Sequence, residues 1–137
     1  MTYPIEARCQ CGQVHYRLLA APLKVMACHC QACQTLSSAP FSVTALVRAE
    51  DIEIEGELAR CQRVSDSGNL NLGFFCPGCG VRIYHLNPQQ PEIIKLKLKP
   101  VGPAAALFAP QAHIWISEKL PWVSLPDGVP CFERQAQ

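Results

Sequence analysis

The sequence lacks several features that define broad classes of protein. Its start, MTYPIEARCQ, has no basic residues followed by an apolar run, which a secretory signal requires. No apolar stretch approaches the roughly 18 residues that a membrane span needs. Lysines and arginines are scattered and the formal net charge is +1, so the basic stripe typical of nucleic-acid binding is also missing. We therefore expect a cytoplasmic protein with neither a membrane nor a nucleic-acid partner.

Long helices are also excluded, because 12 prolines and 8 glycines divide the 137 residues into short segments. Neither an internal repeat nor an interdomain linker is present. Alternating or β-branched segments predict strands at 13–20, 41–49, 51–58, 92–98 and 112–118, and a strand, turn and strand over 73–86. One short helix is predicted after Ala32, to about Leu36. The pattern predicts a mainly β architecture in a single domain, 1–137.

Nine cysteines stand out against this composition. Cytoplasmic thiols stay reduced, and an odd number of cysteines in short clusters indicates metal binding rather than a disulfide framework. Seven of them form the clusters CQCG (Cys9, Cys11), CHCQAC (Cys28, Cys30, Cys33) and CPGCG (Cys76, Cys79). Cys61 is interpreted as an ordinary buried or half-buried thiol, and Cys131 as a surface thiol.

The first and third clusters are predicted to form one closed site. In CPGCG, the Pro77-Gly78 pair favours a tight turn that aims both sulfurs at one point. In CQCG, residues two apart on an extended chain share a face, and a bend at Gly12 brings their sulfurs together. Four thiolates make a tetrahedral, structural zinc site. Its ligands would be Cys9, Cys11, Cys76 and Cys79.

The second cluster offers three sulfurs within six residues. Three protein ligands with an open fourth position are typical of a catalytic zinc, for which the ligands would be Cys28, Cys30 and Cys33. The side chain of His29 is expected to point away from the metal. Two alternatives stay open. One is a redox role for Cys30 and Cys33, or a disulfide. The other is a second structural site, completed by Cys61, Cys131, His85 or His113.

The three clusters, in this order and at these spacings, resemble the glutathione-dependent formaldehyde-activating family, which includes the centromere protein V type. The similarity extends over roughly residues 5–133, through CQCGQVHY, CHCQACQTLSSAPFSV, FFCPGCGVRIYH and QAHIWISEKLPWVSLPDGVPCFE. One stretch departs from the family pattern. Relatives often carry a Gly-x-Leu-Asp-Asp-like segment where this chain reads EIIKLKLKPVGPAAALFAPQAHIW.

The resemblance implies a mainly β, tent-like zinc-binding fold of short antiparallel strands. It implies two zinc ions per chain, a structural ion on Cys9, Cys11, Cys76 and Cys79 and a catalytic ion on Cys28, Cys30 and Cys33. The implied activity is that of a carbon–sulfur lyase or synthase, which joins a thiol such as glutathione to a small aldehyde such as formaldehyde. A non-catalytic, zinc-stabilised interaction module is the alternative, and either would act as a monomer or homodimer. His113 is a candidate for proton transfer, because imidazole titrates in the useful range.

Overall fold

The computed structural model describes residues 2–136, which divide into two compact units. The first unit comprises the chain up to Leu23 together with Ala45–Phe108, and the second comprises Lys24–Thr44 and the chain from Ala109 onward. The described strands are β1 (Ile5–Arg8), β2 (His15–Leu18), β3 (Lys24–Cys28), β4 (Ser42–Arg48), β5 (Ile52–Glu55), β6 (Ala59–Val64), β7 (Leu70–Phe75), β8 (Arg82–Leu86), β9 (Ile93–Leu96) and β10 (Ala112–Ile114). Helix α1 spans Gln31–Ser37, and 3-10 helices span Ala49–Asp51, Gly102–Phe108 and Ile116–Glu118.

A three-stranded antiparallel sheet, in the order β1-β2-β5, forms one part of the first unit. Successive side chains of a strand point to opposite faces, and here one face is buried, with Ile5 and Leu18 among its members. Tyr16, on the same face, is 1% exposed, and its hydroxyl donates to the Leu98 carbonyl at 2.8 Å. The buried hydroxyl is thereby satisfied, and the small sheet is tied to the chain that follows β9.

The other strands of the first unit pair antiparallel in the order β4, β9, β8, β7 and β6. Only residues 45–48 of β4 belong to this unit. The outermost strand, β6, is exposed over most of its length. A bulge between Phe74 and Phe75 shifts the register against β8. Consequently Arg82 and His85, three residues apart, contact each other on one face of the sheet.

The core of the first unit includes two of the predicted ligands. Cys9 and Cys76 pack with Val14 and Ile83, and all four are at most 3% exposed. Partly buried hydrophobic side chains surround this group, among them Ile54 and Leu98. The sulfurs therefore lie in a packed, apolar environment.

The second unit contains a parallel strand pair, β3 with β10. Helix α1 follows β3 in the sequence, and the 3-10 helix Ile116–Glu118 follows β10. Ala27 and Ala112 are buried at this pair. Beyond the end of β3, the backbone N–H of His29 still donates to the Ile114 carbonyl at 3.0 Å. This bond fixes the chain at the start of the CHCQAC cluster.

The prediction of a mainly β fold is confirmed, and so is the helix after Ala32. The strand predicted over 112–118 is wrong beyond Ile114, because Trp115 adopts a left-handed conformation (φ +56) and a 3-10 helix follows. The described strand pairs are antiparallel as expected, except for the parallel pair of β3 with β10. None of the described helices is long and apolar enough to cross a membrane.

Candidate metal centres

The first candidate centre brings together four thiols from two distant parts of the chain. The sulfurs of Cys9, Cys11, Cys76 and Cys79, here called the quartet, all lie within 4.8 Å of one another. The Sγ atom of Cys11 lies 3.6 Å from the Sγ atom of Cys9 and 3.6 Å from the Sγ atom of Cys76. Two zinc–sulfur bonds of about 2.3 Å in a tetrahedron place their sulfurs about 3.8 Å apart. The quartet therefore fits a tetrahedral cation with soft ligands.

Tight turns between paired strands position the quartet. In the turn from β1 to β2, the Gly12 N–H donates to the Cys9 carbonyl at 3.0 Å, and Gly12 has φ +82. In the turn from β7 to β8, the Gly80 N–H donates to the Cys76 carbonyl at 2.8 Å, and Gly80 has φ +80. Glycine adopts such positive φ values without steric cost. Both turns place their two cysteines on the same side, as their spacing predicts.

Gln13, which the sequence analysis did not identify, holds the quartet from the side. Its Nε2 donates to Cys76 Sγ at 3.1 Å and to the Glu57 carbonyl at 2.7 Å. Its Oε1 accepts from the Glu57 N–H at 2.9 Å, so the amide is fixed at both ends. Partners of this kind orient metal ligands and adjust their charge. The only signal in the sequence is its position directly after C-x-C-G.

The hydrogen bond from Gln13 is the largest influence on the pKa of Cys76, which falls to about 6. Backbone N–H groups of Cys79 and Gly78 lower this pKa further. The Gln13 backbone lowers the pKa of Cys11, but the neighbouring thiols of Cys76 and Cys9 outweigh it and raise that pKa to about 11. Crowded thiols oppose one another's ionisation. A cation among the sulfurs would offset this repulsion and favour ionisation of the whole quartet.

The second candidate centre consists of three thiols, here called the trio. The sulfurs of Cys28, Cys30 and Cys33 lie within 4.8 Å of one another, and this described group includes no fourth Cys, His, Asp or Glu donor. Cys28 ends β3, and Cys30 is the N-cap of α1, where its Sγ accepts from the Cys33 N–H at 3.3 Å. The sharp change from strand to helix is what gathers the three sulfurs.

Hydrogen bonding with the neighbouring thiols of Cys30 and Cys33 is the main cause that raises the pKa of Cys28. Burial raises it further. Three thiolates at this separation repel one another unless a cation offsets their charge. The donor chemistry of the trio therefore also fits a thiophilic metal ion.

A buried histidine pair lies in the same unit as the trio. His29 is completely buried, and its Nε2 lies 2.8 Å from Nδ1 of His113, which is 6% exposed. The ring of Phe41 packs against both imidazoles, with centroid distances of 4.9 Å to His29 and 5.8 Å to His113. Burial is the largest cause that lowers the pKa of each histidine. Both rings are therefore neutral at pH 7.

Two further residues that the sequence analysis missed brace the trio. The Gln34 side chain donates to the His29 carbonyl at 2.8 Å and to the Glu118 carbonyl at 2.9 Å. The Glu118 carboxylate accepts from the Gln31 N–H, in the first turn of α1, at 2.8 Å. The two contacts with Glu118 join residues more than 80 positions apart. No local spacing could have indicated them.

The two isolated cysteines belong to neither thiol group among the described residues. Cys61 is exposed on β6, so its interpretation as a buried or half-buried thiol is wrong. Cys131 is half-buried, and its thiol donates to the Val129 carbonyl at 3.3 Å.

Comparisons with known proteins identify the family. An uncharacterized lyase of Schizosaccharomyces pombe is 23% identical over 91 residues, which cover 65% of this chain and 64% of that protein, just under two thirds of its length. The crystal structure of a Rhodobacter sphaeroides protein is similar with a TM-score of 0.52, at 19% identity, covering 93% of this chain and 99% of the other, and so shares the fold. The model of the glutathione-dependent formaldehyde-activating enzyme family matches residues 4–118. The chain therefore belongs to the glutathione-dependent formaldehyde-activating enzyme family.

Proposed function

We propose that this protein is a zinc-dependent carbon–sulfur lyase or synthase that joins a glutathione-like thiol to a small aldehyde such as formaldehyde. The observation that carries the proposal is the trio, in which three thiols converge and the described group includes no fourth donor. Such an incomplete ligand set is typical of catalytic zinc. The family match and the description of the S. pombe relative as a lyase support the same reaction class.

The two thiol groups would hold zinc for different purposes. The quartet, with four donors of which two are buried in the core, suits a closed structural ion that links the β1–β2 turn to the β7–β8 turn. The trio suits a catalytic ion. A zinc ion held there would supply Lewis acidity, which lowers the pKa of a coordinated thiol and polarises an aldehyde oxygen. We keep the single-domain organisation and the cytoplasmic location as predictions of the sequence.

His113 and His29 would hold and move a proton beside the trio. Only one hydrogen lies between His29 Nε2 and His113 Nδ1, because both rings are neutral. When the hydrogen is on His29 Nε2, the buried Nδ1 of His29 is an acceptor. When it is on His113 Nδ1, the Nδ1 of His29 carries a proton and is a donor. His29 Nδ1 is buried and has no hydrogen-bond partner among the described residues, so only a reactant bound beside it could exchange a proton with it.

Phe41 and the burial of both imidazoles would exclude water from this proton path. Cys30 is half-buried, which leaves the trio accessible to a small reactant. Bringing thiol and aldehyde together at one place contributes through proximity and orientation, since their addition needs little activation.

Turnover with a panel of thiols and aldehydes, together with metal stoichiometry from native mass spectrometry, tests the proposal. We expect two zinc ions per chain and activity with at least one thiol–aldehyde pair. Cys30→Ser should abolish activity and preserve the fold, whereas Cys76→Ser should unfold the protein because it breaks the closed site. A single bound ion, or global unfolding of Cys30→Ser, would contradict the assignment.

Cobalt substitution separates an enzyme from a non-catalytic interaction module. An open site at the trio should change its absorption spectrum when a small thiol is added. Two closed sites would be indifferent to thiols. The second result would favour the interaction module, in which both ions only stabilise the fold.

A further inference from the structure

A cluster of polar side chains lies on the sheet of the first unit and uses no residue of the quartet or trio. Cys61, Gly73, His85 and Lys95 are directly opposite one another on β6, β7, β8 and β9. Residues opposite one another in antiparallel strands share a face of the sheet. This face therefore presents a thiol, an imidazole and an ammonium group in one row, interrupted by a glycine.

The guanidinium of Arg82 lies over that glycine. A Cβ atom at Gly73 would lie 2.7 Å from Arg82 Nη1, 3.0 Å from Cys61 Sγ and 3.4 Å from His85 Cδ2. The first of these distances is shorter than side-chain carbons tolerate, so the absence of a side chain at position 73 makes room for the guanidinium. Arg82, Cys61 and His85 thus converge on a single point.

Arg82 is anchored, yet its charge has no anionic partner in the described part of the chain. Its Nη1 donates to His85 Nε2 at 2.8 Å, and Arg82 belongs to none of the ion pairs found among residues 2–136. An arginine has five N–H groups in a planar fork that matches a carboxylate. One N–H is used for the anchor, so the remainder of the fork is preorganised for a ligand.

Asn71 contacts the imidazole of His85 on the side opposite Arg82. Arginine can only donate, so Nε2 of His85 accepts and the neutral ring carries its hydrogen on Nδ1. Asn71 Nδ2 lies 3.2 Å from that Nδ1, while Asn71 Oδ1 is buried without a partner in the described part of the chain. A half-turn of the amide places the oxygen where Nδ1–H can donate to it. The imidazole that anchors Arg82 is thereby held from both sides.

The surrounding charge on this face has one sign. Arg63 is opposite Asn71 and Lys95 is opposite His85, and neither of them is in an ion pair among the described residues. We propose that Arg82 binds the carboxylate of a small organic acid on this face, with Asn71 and His85 holding the guanidinium in place and the exposed thiol of Cys61 at the edge of the site. The site differs from both thiol groups and does not depend on the proposed reaction.

Two alkylating reagents of the same size test this site, because one of them is itself a carboxylate. Iodoacetate and neutral iodoacetamide both convert a thiolate to a thioether with loss of iodide. Mass spectrometry of the metal-loaded protein gives the rate with iodoacetate divided by the rate with iodoacetamide at Cys61. The same ratio at Cys131 is the internal reference. We expect the ratio at Cys61 to exceed that at Cys131 roughly fivefold at low salt, as one favourable charge pair at this range predicts. Acetate should compete better than inorganic phosphate at equal ionic strength.

Three variants decide the origin of the preference. Arg82→Gln should reduce the ratio at Cys61 to that at Cys131, and Gly73→Ala should do the same without a change of charge, since its Cβ displaces the guanidinium. Arg60→Gln is the matched control, because Arg60 is next to Cys61 but opposite Phe74 on the other face of the sheet. Equal ratios in the native protein, an equal loss in Arg60→Gln, or stronger competition by phosphate would overturn the proposal.

Discussion

Nε2 of His29 lies 2.8 Å from Nδ1 of His113, although the two residues are 84 positions apart in the sequence. His29 lies between two cysteines of the trio, and His113 is in the middle of β10. The parallel pairing of β3 with β10 is what brings them together. A contact of this kind makes the geometry of the CHCQAC segment dependent on a strand near the other end of the chain.

The histidine pair should make stability depend on pH. Burial lowers the pKa of both rings, so below about 6.5, the ordinary imidazole pKa, the unfolded chain binds more protons than the folded protein. Stability should therefore be unaffected by these groups above pH 6.5 and should fall as the pH drops from 6.5 through their lowered folded pKa values. Urea denaturation at pH 7.5 and 5.5 measures the difference.

His113→Gln should reduce that pH dependence, because one of the two buried imidazoles is gone. His15→Gln is the control, since His15 is a partly exposed histidine of β2. Metal content is followed at both pH values, because acid also protonates thiolate ligands. An unchanged pH dependence in His113→Gln would show that the pair does not govern acid stability.

Gln13→Ala should weaken metal binding at the quartet by about tenfold to a hundredfold, the usual effect of losing a hydrogen bond to a ligand. The reason is the 3.1 Å contact between Gln13 Nε2 and Cys76 Sγ. Competition with a chelator of known affinity gives the change. Gln10→Ala is the matched control, because Gln10 is exposed between Cys9 and Cys11. Equal affinities in the two variants would show that the amide has no influence on the metal.

Gly56→Ala should destabilise the first unit, because its backbone has φ +117 and an added Cβ would lie 2.3 Å from the Gln13 carbonyl oxygen. Left-handed strain alone costs about 1–3 kcal/mol. Gly68→Ala isolates that part, since Gly68 has φ +86 but no atom within 4 Å of the added Cβ. Chemical denaturation should show a larger loss for Gly56→Ala, accompanied by weaker metal binding at the quartet. Equal losses would mean that the collision with Gln13 is relieved at no cost.

Gln34→Ala should weaken metal binding at the trio and leave the quartet unchanged. The substitution removes the two hydrogen bonds that the Gln34 side chain donates to the carbonyls of His29 and Glu118. The CHCQAC segment is then no longer held by Gln34. Stepwise titration with cobalt, read by absorption, distinguishes the two centres. Gln31→Ala is the control, because the exposed Gln31 contributes only its backbone N–H to this network. A change at the quartet would contradict the separation of the two networks.

The sequence predicts the parts of the site that depend on local spacing. C-x-C-G and C-P-G-C-G specify turns, and turns alone bring the sulfurs of each pair together. The three cysteines of the trio are within six residues, so the change from strand to helix after Cys28 is enough to turn their sulfurs toward one another, although distant residues then hold the segment. Alternating segments such as 51–58 similarly predict strands, although the observed strand, Ile52–Glu55, is shorter than the alternating segment.

The features that the sequence did not predict depend on contacts between distant segments. β1, β3 and β6 are four to six residues long, too short for a clear periodic pattern. Gln13 and Gln34 are ordinary polar residues until the fold places an acceptor beside them. Cys61 is exposed because β6 is the edge strand of its sheet, and strand order cannot be derived from the residues around Cys61.

The spacing of the cysteines also sets an order for cation uptake during synthesis. All three trio thiols have emerged from the ribosome once residue 33 is exposed, so they can meet an ion before β10, which later holds the segment, has been synthesised. The quartet must wait for Cys79, and its two halves, 65 residues apart between Cys11 and Cys76, meet only after a long loop has closed. Zinc supply during translation would therefore influence the two centres at different moments, the trio first and the quartet last.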